Sequence, residues 1–586
     1  MTKTANTTIA LAGIVVAGAI LRFYGLDWGA PYHHFHIDEH FVFVGADNLR
    51  TSLRTAALSP KFFMYGPLPM YLLNVARWVY EAVAGPLHLS VSDDGYRYML
   101  LGRAISATLG TLTIPLVFLI ARRAGGAVAG LIAAALLAFA VIHLRDSHFF
   151  TVDITLIFFC VLAWAASMAM ADHGARWTYV VAGAAFGAAL ACKYTAVFLA
   201  PMIVVAHACS PATPWRERTV KPWLRWALAA AVPIAIGSVV FLALDPMIVM
   251  YPDKFAQDVR EQITGPLLGG ARPLWNAHFR GIQPQLYWFT NLLPWGIGPA
   301  FMAAGLAGVV WLVTRRTRLA IAAAAYPLAH YAIAGQTVTP FMRYSLPIVP
   351  GLAVAAGVLG ADLLRRPGWR RPALAGVTLV VALTAAYAAS YMNIYRQPDA
   401  RLAASALVYD TVPKGAAVLV EPSHNVPPMG SYLTEPDFYR DYVNWGAETV
   451  RRDDFTLYTL DVYRYLYDTR VPSDDKRAYI KRRLASVDFI LMDDTFVELY
   501  DRLSGPSHAP VREYYRDLFD GRLGFELVHH VARTPSLLGF TVDDEAAEFT
   551  FTLFDHPEIY VFRRLGPHAG GVPLENGPAE TSDRVQ

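Results

Sequence analysis

The stretch Tyr32-His33-His34-Phe35-His36-Ile37-Asp38-Glu39-His40 follows an apolar run over residues 8–21 and sets two adjacent carboxylates beside a predicted membrane surface. Adjacent residues on a helix point about 100° apart, so only one of the two acids can face a given pocket. A solvated, charged loop beside a membrane would have a similar composition. The positions of the other charges along the chain favour a functional site instead.

The composition is that of an integral membrane protein. Of the 586 residues, 55% are hydrophobic, and apolar runs of roughly 18 to 25 residues recur along the first two-thirds of the chain. The formal net charge is only +3, with the basic residues in short loops, which argues against a nucleic-acid partner. The three cysteines, Cys160, Cys192 and Cys209, lie in or beside apolar segments, so we expect buried free thiols.

The apolar runs predict about eleven membrane spans. They cover residues 8–24, 98–122, 126–143, 151–171, 178–191, 194–209, 223–244, 291–313, 319–334, 345–364 and 372–393. Residues 178–209 could form one long tilted helix or a hairpin around Lys193. Only the hairpin keeps the arginine-rich loops at 315–318 and 365–371 on the side of the N-terminus, as the positive-inside bias requires. We therefore predict the hairpin, with the chain after Tyr395 outside.

The chain is predicted to have three parts. Residues 1–394 form a helical transmembrane domain of the polytopic type. Residues 395–566 combine short strand-like runs with helical patterns, which favours an extracytoplasmic α/β domain. Residues 567–586 are rich in Gly, Pro and polar side chains and are predicted to be a disordered tail.

The predicted outer loops contain charges that could form one site. Besides Asp38 and Glu39, they are Arg145, His148, Asp153, Lys193 and Arg343, the last two followed by Tyr194 and Tyr344. Charges at a membrane boundary are costly and usually functional. Carboxylates could serve as a base and cations could bind an anion, which suits attack by a hydroxyl on a sugar carried on a phosphate.

Each of these charges also has a structural alternative. Asp153 could simply pair with Arg145, because buried charges commonly pair. Lys193 could extend its amine to the membrane surface, and Arg343 could anchor a helix end. His36 and His40 have the i, i+4 spacing of metal ligands on a helix. With Asp38 and Asp153 they are candidate ligands of a divalent metal, but they could equally be interfacial residues, so no cofactor is certain.

Taken together, these residues resemble the GT-C glycosyltransferases, the group that includes protein O-mannosyltransferases and the lipid A aminoarabinose transferase. The stretch 36–39 resembles the family's His-Pro-Asp-Glu type motif in the first loop, with Ile37 in place of proline. The resemblance continues through residues 65–69, 145–153, 190–194 and 343–347, and into the tail at 412–416 and 554–557. The extra histidines beside Asp38 are atypical of the family and leave metal use open.

The resemblance implies an inverting transfer of a sugar from a polyprenyl-phosphate donor to a hydroxyl of a lipid, glycan or protein acceptor at the outer face of the cell membrane. It implies that Asp38 is the base or positions the acceptor, with Asp153 in a second acidic site. Glu39 is grouped with these two as a catalytic candidate. The implied substrate-binding residues are Tyr65, Arg145, His148, Lys193, Tyr194, Arg343 and Tyr344.

Two other classes of function remain open. A transporter or flippase of lipid-linked sugars would need the same phosphate-binding cations. The sequence shows no matching pair of Gly/Pro-interrupted halves, and the large tail suits an enzyme that handles an acceptor. A catalytically inactive scaffold would not require Asp38 and Asp153 to be intact.

Overall fold

The computed structural model describes residues 3–30, 36–55, 65–84, 94–211, 213–214, 219–260, 274–421, 425, 427–428, 449–452, 455–462 and 465–566. The predicted tail at 567–586 and the histidines His33 and His34 lie outside these residues. The predicted architecture is confirmed: apolar helices make up most of the chain, and a sheet region follows them.

The first nine helices contain Asp38, Glu39, Arg145 and Asp153. They are α1 (Lys3–Phe23), α2 (Ile37–Thr55), α3 (Leu68–Ala84), α4 (Asp94–Gly125), α5 (Ala127–Ala138), α6 (Val141–Asp146), α7 (Val152–His173), α8 (Arg176–Leu190) and α9 (Ala200–Ala208), the last preceded by the 3-10 turn Tyr194–Leu199. Thr151 caps the start of helix α7, and its side chain accepts a hydrogen bond from the Asp153 N–H. Such capping satisfies one of the free N–H groups of a helix start and fixes where the span begins.

The second half of the helical region continues to residue 396. Its helices are α10 (Val220–Leu244), α11 (Met247–Met250), α12 (Pro252–Val259), α13 (Pro284–Tyr287), α14 (Leu293–Ile297), α15 (Pro299–Arg315), α16 (Arg318–Ala334), α17 (Val349–Arg365) and α18 (Arg370–Met392). A π-helical turn, Trp288–Leu292, joins α13 to α14. The 3-10 helix Met342–Ile348 leads into α17 and carries Arg343.

All eleven predicted apolar segments are helical. In the described part of the chain, six helices are long and apolar enough to cross a membrane singly: Thr4–Phe23, Arg97–Gly125, Val152–His173, Val220–Leu244, Met342–Arg365 and Pro367–Thr411. A seventh span arises if Pro284–Ile297 and Pro299–Arg315, which meet at a bend of 120°, count as one. The remaining segments are shorter helices, so the number of eleven crossings stays a prediction.

The hairpin around Lys193 is confirmed. Tyr179, near the start of α8, has its hydroxyl 2.8 Å from Nδ1 of His207, near the end of α9. A continuous helix would separate these residues by about 40 Å at 1.5 Å per residue. The chain therefore reverses between them, and Ala191–Lys193 form the turn.

A mixed six-stranded sheet follows the helical region, in the order β2-β3-β1-β4-β8-β5. Its strands are β1 (Ala417–Val420), β2 (Thr449–Arg452), β3 (Phe455–Thr459), β4 (Phe489–Asp493), β5 (Phe525–Val531) and β8 (Ile559–Arg564), and a separate hairpin pairs β6 (Ser536–Leu537) with β7 (Phe540–Thr541). Strand β1 runs parallel to β3 and β4, with Val418 opposite Leu457 and Phe489. Strand β8 is antiparallel to β4 and β5.

Helices cover both faces of this sheet. Helix α19 (Ala400–Thr411) packs on the face that contains Val418 and Val420. Helices α20 (Ser473–Ala485), α21 (Thr495–Arg502) and α22 (Ala509–Phe519) pack on the face that contains Leu419 and Ile490. Successive strand residues point to opposite faces, so both faces of each central strand are apolar.

Candidate functional site

Asp38 lies in the first turn of α2 and is held by three neighbours. Its carboxylate forms an ion pair with the guanidinium of Arg343, and the hydroxyl of Tyr65 donates to Oδ1 at 2.9 Å. The N–H of Asp38 donates to Nδ1 of His36 at 3.2 Å. The Asp38 side chain is 9% exposed and that of Arg343 is 26% exposed, so a ligand could reach the guanidinium before the carboxylate.

Tyr65 reaches Asp38 because its loop is fixed to the turn after α8. The N–H of Gly66 donates to the carbonyl of Cys192, and that of Leu68 donates to the carbonyl of Ala191, each at 3.0 Å. A Cβ atom at Gly66 would lie 2.2 Å from the Ala191 carbonyl oxygen. This position therefore requires glycine, since any side chain would push the two backbones apart.

A second carboxylate–cation pair lies beside the first. Lys193 Nζ is 3.0 Å from Oδ1 of Asp153, at the start of α7. The same amine lies 5.8 Å from the ring centre of Tyr65 and 5.7 Å from that of Tyr344. The structure thus gathers Asp38, Tyr65, Asp153, Lys193, Arg343 and Tyr344 into one cluster, in which two aromatic rings flank an ammonium group.

The alternative in which Asp153 pairs with Arg145 is wrong, because Arg145 has other partners. Its guanidinium lies 3.1 Å from Asp146 Oδ1 and 3.6 Å from Asp555 Oδ2. Burial alone would raise the pKa of Asp555, but His556 and Arg145 hold it below its ordinary value. Arg145 therefore joins the helical region to the sheet region.

Asp146 belongs near the cluster, although it was not among the predicted site residues. Burial raises its pKa to about 7, partly offset by Arg145, and Asp153 and Lys193 also act on it. Its Oδ2 is buried without a hydrogen-bond partner among the described residues. The signal for Asp146 was its position between Arg145 and His148 in the sequence.

Glu39 points away from Asp38 and does not join the cluster. It is fully buried, and its two oxygens each accept a hydrogen bond of 3.0 Å from the guanidinium of Arg103. Oε1 also accepts the N–H of Phe150 at 2.9 Å. These contacts argue for a structural role and against the catalytic role predicted for Glu39. Arg103, the partner that fixes it, was not predicted.

Two predicted substrate-binding residues also point elsewhere. The ring nitrogens of His148 lie 2.8 Å and 2.9 Å from the carbonyl oxygens of Leu144 and Tyr24, and the ring stacks on Tyr395 at 4.2 Å. The hydroxyl of Tyr194 donates to Asp245 Oδ2 at 3.1 Å. Both side chains are used in packing within the helical region rather than in the cluster.

The predicted metal ligands are not brought together. Among the described residues, no group of three or more His, Cys, Asp or Glu side chains could hold an ion. His36 stacks on Phe554 at 3.8 Å between ring centres, and its Nδ1 accepts the Asp38 N–H. The set of His36, His40, Asp38 and Asp153 therefore does not fit a metal site here.

A family model matches part of this chain. Residues 98–243 match the family described as Dolichyl-phosphate-mannose-protein mannosyltransferase. No curated protein matches the sequence of this chain.

Several solved structures are similar to this one. The oligosaccharyltransferase AglB from Archaeoglobus fulgidus, in complex with an inhibitory peptide and a dolichol-phosphate, is 12% identical, covers 87% of this chain and 72% of its own, and has a TM-score of 0.50. ArnT from Cupriavidus metallidurans, bound to undecaprenyl phosphate, is 15% identical over 96% of this chain and 98% of its own, with a TM-score of 0.47. The Pmt1-Pmt2 protein O-mannosyltransferase of S. cerevisiae, bound to its sugar donor, is 19% identical over 44% of this chain and 35% of its own, with a TM-score of 0.32. The AglB similarity establishes the fold, which is that of GT-C membrane enzymes.

Proposed function

We propose that this chain, which has the fold of the GT-C integral-membrane glycosyltransferases, moves a sugar from a polyprenyl-phosphate donor to an acceptor hydroxyl, with inversion. The observation that carries the proposal is the pairing of Asp38 with Arg343 beside the pairing of Asp153 with Lys193. Such a site supplies both a base and cations for a phosphate. The matched mannosyltransferase family and the dolichol-phosphate bound by AglB support this class of donor.

The donor phosphate is proposed to bind the two cations. A planar guanidinium can hold two phosphate oxygens at once, and the Lys193 ammonium adds a point charge. With the Arg343 side chain 26% exposed and that of Lys193 15% exposed, both groups are open to a ligand. A phosphate that binds Arg343 competes with Asp38 for the guanidinium, so donor binding would release the carboxylate.

Asp38 is then the proposed base. It takes the proton from the acceptor hydroxyl, whose oxygen forms a bond to the anomeric carbon as the bond from that carbon to the phosphate oxygen breaks. Polyprenyl phosphate leaves with the electron pair, stabilised by Arg343 and Lys193, and attack from the opposite face inverts the anomeric centre. Tyr65 keeps its hydrogen bond to Oδ1 and holds the carboxylate in place. We assign Asp153 to the second acidic site, where its carboxylate holds the Lys193 ammonium in place. The ring of Tyr344 flanks the same ammonium.

The proposed function also implies where the protein lies and how its chain is divided into domains. The apolar helices make the protein integral to a membrane. We propose that residues 1–394 form the catalytic domain and that residues 395–566 lie outside the cytoplasm, where the acceptor (lipid, glycan or protein) would be met. No step in this mechanism requires a divalent metal.

A transporter or flippase is the second candidate, because phosphate-binding cations would serve it equally. The test uses purified protein in vesicles with a panel of polyprenyl-phosphate sugars and membrane acceptors. We expect transfer of sugar to an acceptor. Movement of the lipid-linked sugar across the vesicle membrane, with no transfer from a broad panel, would instead establish the transporter.

A further inference from the structure

A short segment after the β6–β7 hairpin packs into the helical region. We name residues 547–556 the docking segment. Ala547, Phe551 and Phe554 are buried in the same hydrophobic core as the apolar helices. Asp555 accepts hydrogen bonds from the hydroxyls of Tyr391 and Tyr395, at the end of α18 and just beyond it. The docking segment is therefore a fixed part of the helical region, although the sheet domain supplies it.

One end of the docking segment holds the backbone that carries Arg343. Oε2 of Glu548 accepts the N–H of Met342 at 2.8 Å, and Oγ1 of Thr550 lies 3.3 Å from the same nitrogen. Met342 is the first residue of the 3-10 helix Met342–Ile348. The first N–H groups of a helix have no partner within it, so Glu548 caps this helix from a distant part of the chain.

The other end of the docking segment holds the backbone that carries Asp38. The ring of Phe554 stacks on His36, with ring centres 3.8 Å apart and planes 22° apart. Nδ1 of the same imidazole accepts the N–H of Asp38 at 3.2 Å. The position of Phe554 thus fixes the ring that in turn fixes the start of α2.

We infer that the docking segment positions the two halves of the Asp38–Arg343 pair, with Glu548 and Phe554 as positioning residues that touch no substrate. This inference rests on the proposed function for its catalytic meaning. Glu548 and Phe554 lie six residues apart in one segment, whereas Asp38 and Arg343 lie 305 residues apart. One short element of the sheet domain thereby sets the distance between a base and a phosphate-binding cation.

The test distinguishes the two ends of the docking segment by their effects on the donor KM and on kcat. Glu548→Ala removes the nearer of the two acceptors for the Met342 N–H, whereas Glu548→Gln keeps an oxygen there. We expect Glu548→Ala to raise the KM for the donor about tenfold to a hundredfold, since misplacement by about 1 Å can cost a hundredfold, and Glu548→Gln to restore it. Phe554→Leu keeps much of the volume but loses the stack, so it should lower kcat with little change in donor KM. Glu513→Ala, an exposed carboxylate on α22, is the matched control.

Amide hydrogen exchange provides a measurement that does not depend on activity. Glu548→Ala should speed exchange in residues 341–346, and Phe554→Leu should speed it in residues 36–40, relative to Glu513→Ala. Unchanged exchange and unchanged kinetics would overturn the inference. If exchange shifts as expected but the parent transfers no sugar, the proposed function fails while the positioning holds. If Glu548→Ala does not fold, the kinetics and amide exchange of Phe554→Leu alone decide whether the inference holds.

Discussion

Arg343 forms an ion pair with Asp38 across 305 residues of sequence, and Tyr65 donates to the same carboxylate. A cation at this position was predicted to meet a lipid phosphate, yet the structure gives it a protein partner. The prediction and the observed ion pair are compatible if the phosphate replaces the carboxylate as the partner of Arg343. In that case the pair couples donor binding to the release of the base.

Asp38→Asn should abolish transfer without weakening donor binding. The amide retains the size and most of the hydrogen-bonding capacity of the carboxylate but cannot take a proton. Loss of a general base typically lowers a rate by about a hundredfold to ten-thousandfold. Transfer and donor binding are measured in parallel, with Asp172→Asn as the matched control because Asp172 is 45% exposed and lies beside Arg123. Transfer at the parental rate would refute the assignment of Asp38.

Arg343→Ala should weaken donor binding by about tenfold to a hundredfold, because a hydrogen bond to a charged group contributes about 1.5–3 kcal/mol. Arg343→Lys keeps the positive charge but cannot hold two phosphate oxygens at once. Its donor affinity should therefore lie between that of the parent and that of Arg343→Ala. In the double variant with Asp38→Asn, the effects on donor binding should be non-additive, since both residues belong to one pair. Unchanged affinity in a folded Arg343→Ala protein would reduce Arg343 to a structural residue.

Glu39→Ala should lower the stability of the protein rather than selectively slow sugar transfer. The change leaves the buried Arg103 guanidinium without its carboxylate, and breaking a buried pair costs about 3–5 kcal/mol. The measurement is the midpoint of unfolding in detergent. Glu513→Ala, at an exposed ion pair, should leave that midpoint unchanged. A Glu39→Ala protein of parental stability but no activity would return Glu39 to the catalytic group.

The free energy of unfolding should fall at alkaline pH, because His556 in the docking segment then loses its charge. Burial disfavours a charged His556, but Asp555 at 2.7 Å and Asp544 at 2.8 Å outweigh it and raise its pKa to about 9. A pKa raised above the unfolded value of about 6.5 stabilises the fold fully below that pH, and the stabilisation is lost as pH rises through about 9. We expect the unfolding midpoint to drop as the pH rises from about 6.5 through about 9, and to drop less steeply in His556→Gln. Equal slopes for the two proteins would contradict the prediction.

Alkaline phosphatase fused after Gln586 should be active, since the sheet domain is proposed to lie outside the cytoplasm and this reporter works only when exported. A fluorescent protein that matures only in the cytoplasm should be dark at the same position. The opposite pair of results would invert the predicted topology and, with it, the side of the membrane on which the candidate site lies.

The sequence by itself determined which segments form the apolar helices. Apolar runs of sufficient length identified the helices, because burial of apolar side chains is a property of composition that needs no knowledge of partners. The distribution of arginines favoured the hairpin at Ala191–Lys193, which the contact between Tyr179 and His207 confirms. Asp38, Lys193 and Arg343 stood out because charges are rare beside apolar segments.

Only the tertiary structure decided which charges meet. Asp38 and Glu39 are neighbours in sequence, but the turn of α2 sends one to Arg343 and the other to Arg103. Asp153 pairs with Lys193 rather than with Arg145, and Glu548 reaches Met342 from a position 206 residues away in the chain. An ion pair or a helix cap depends on distances of a few ångströms between residues far apart in the chain. Those distances are set by the packing of whole helices, which local pattern and composition do not specify.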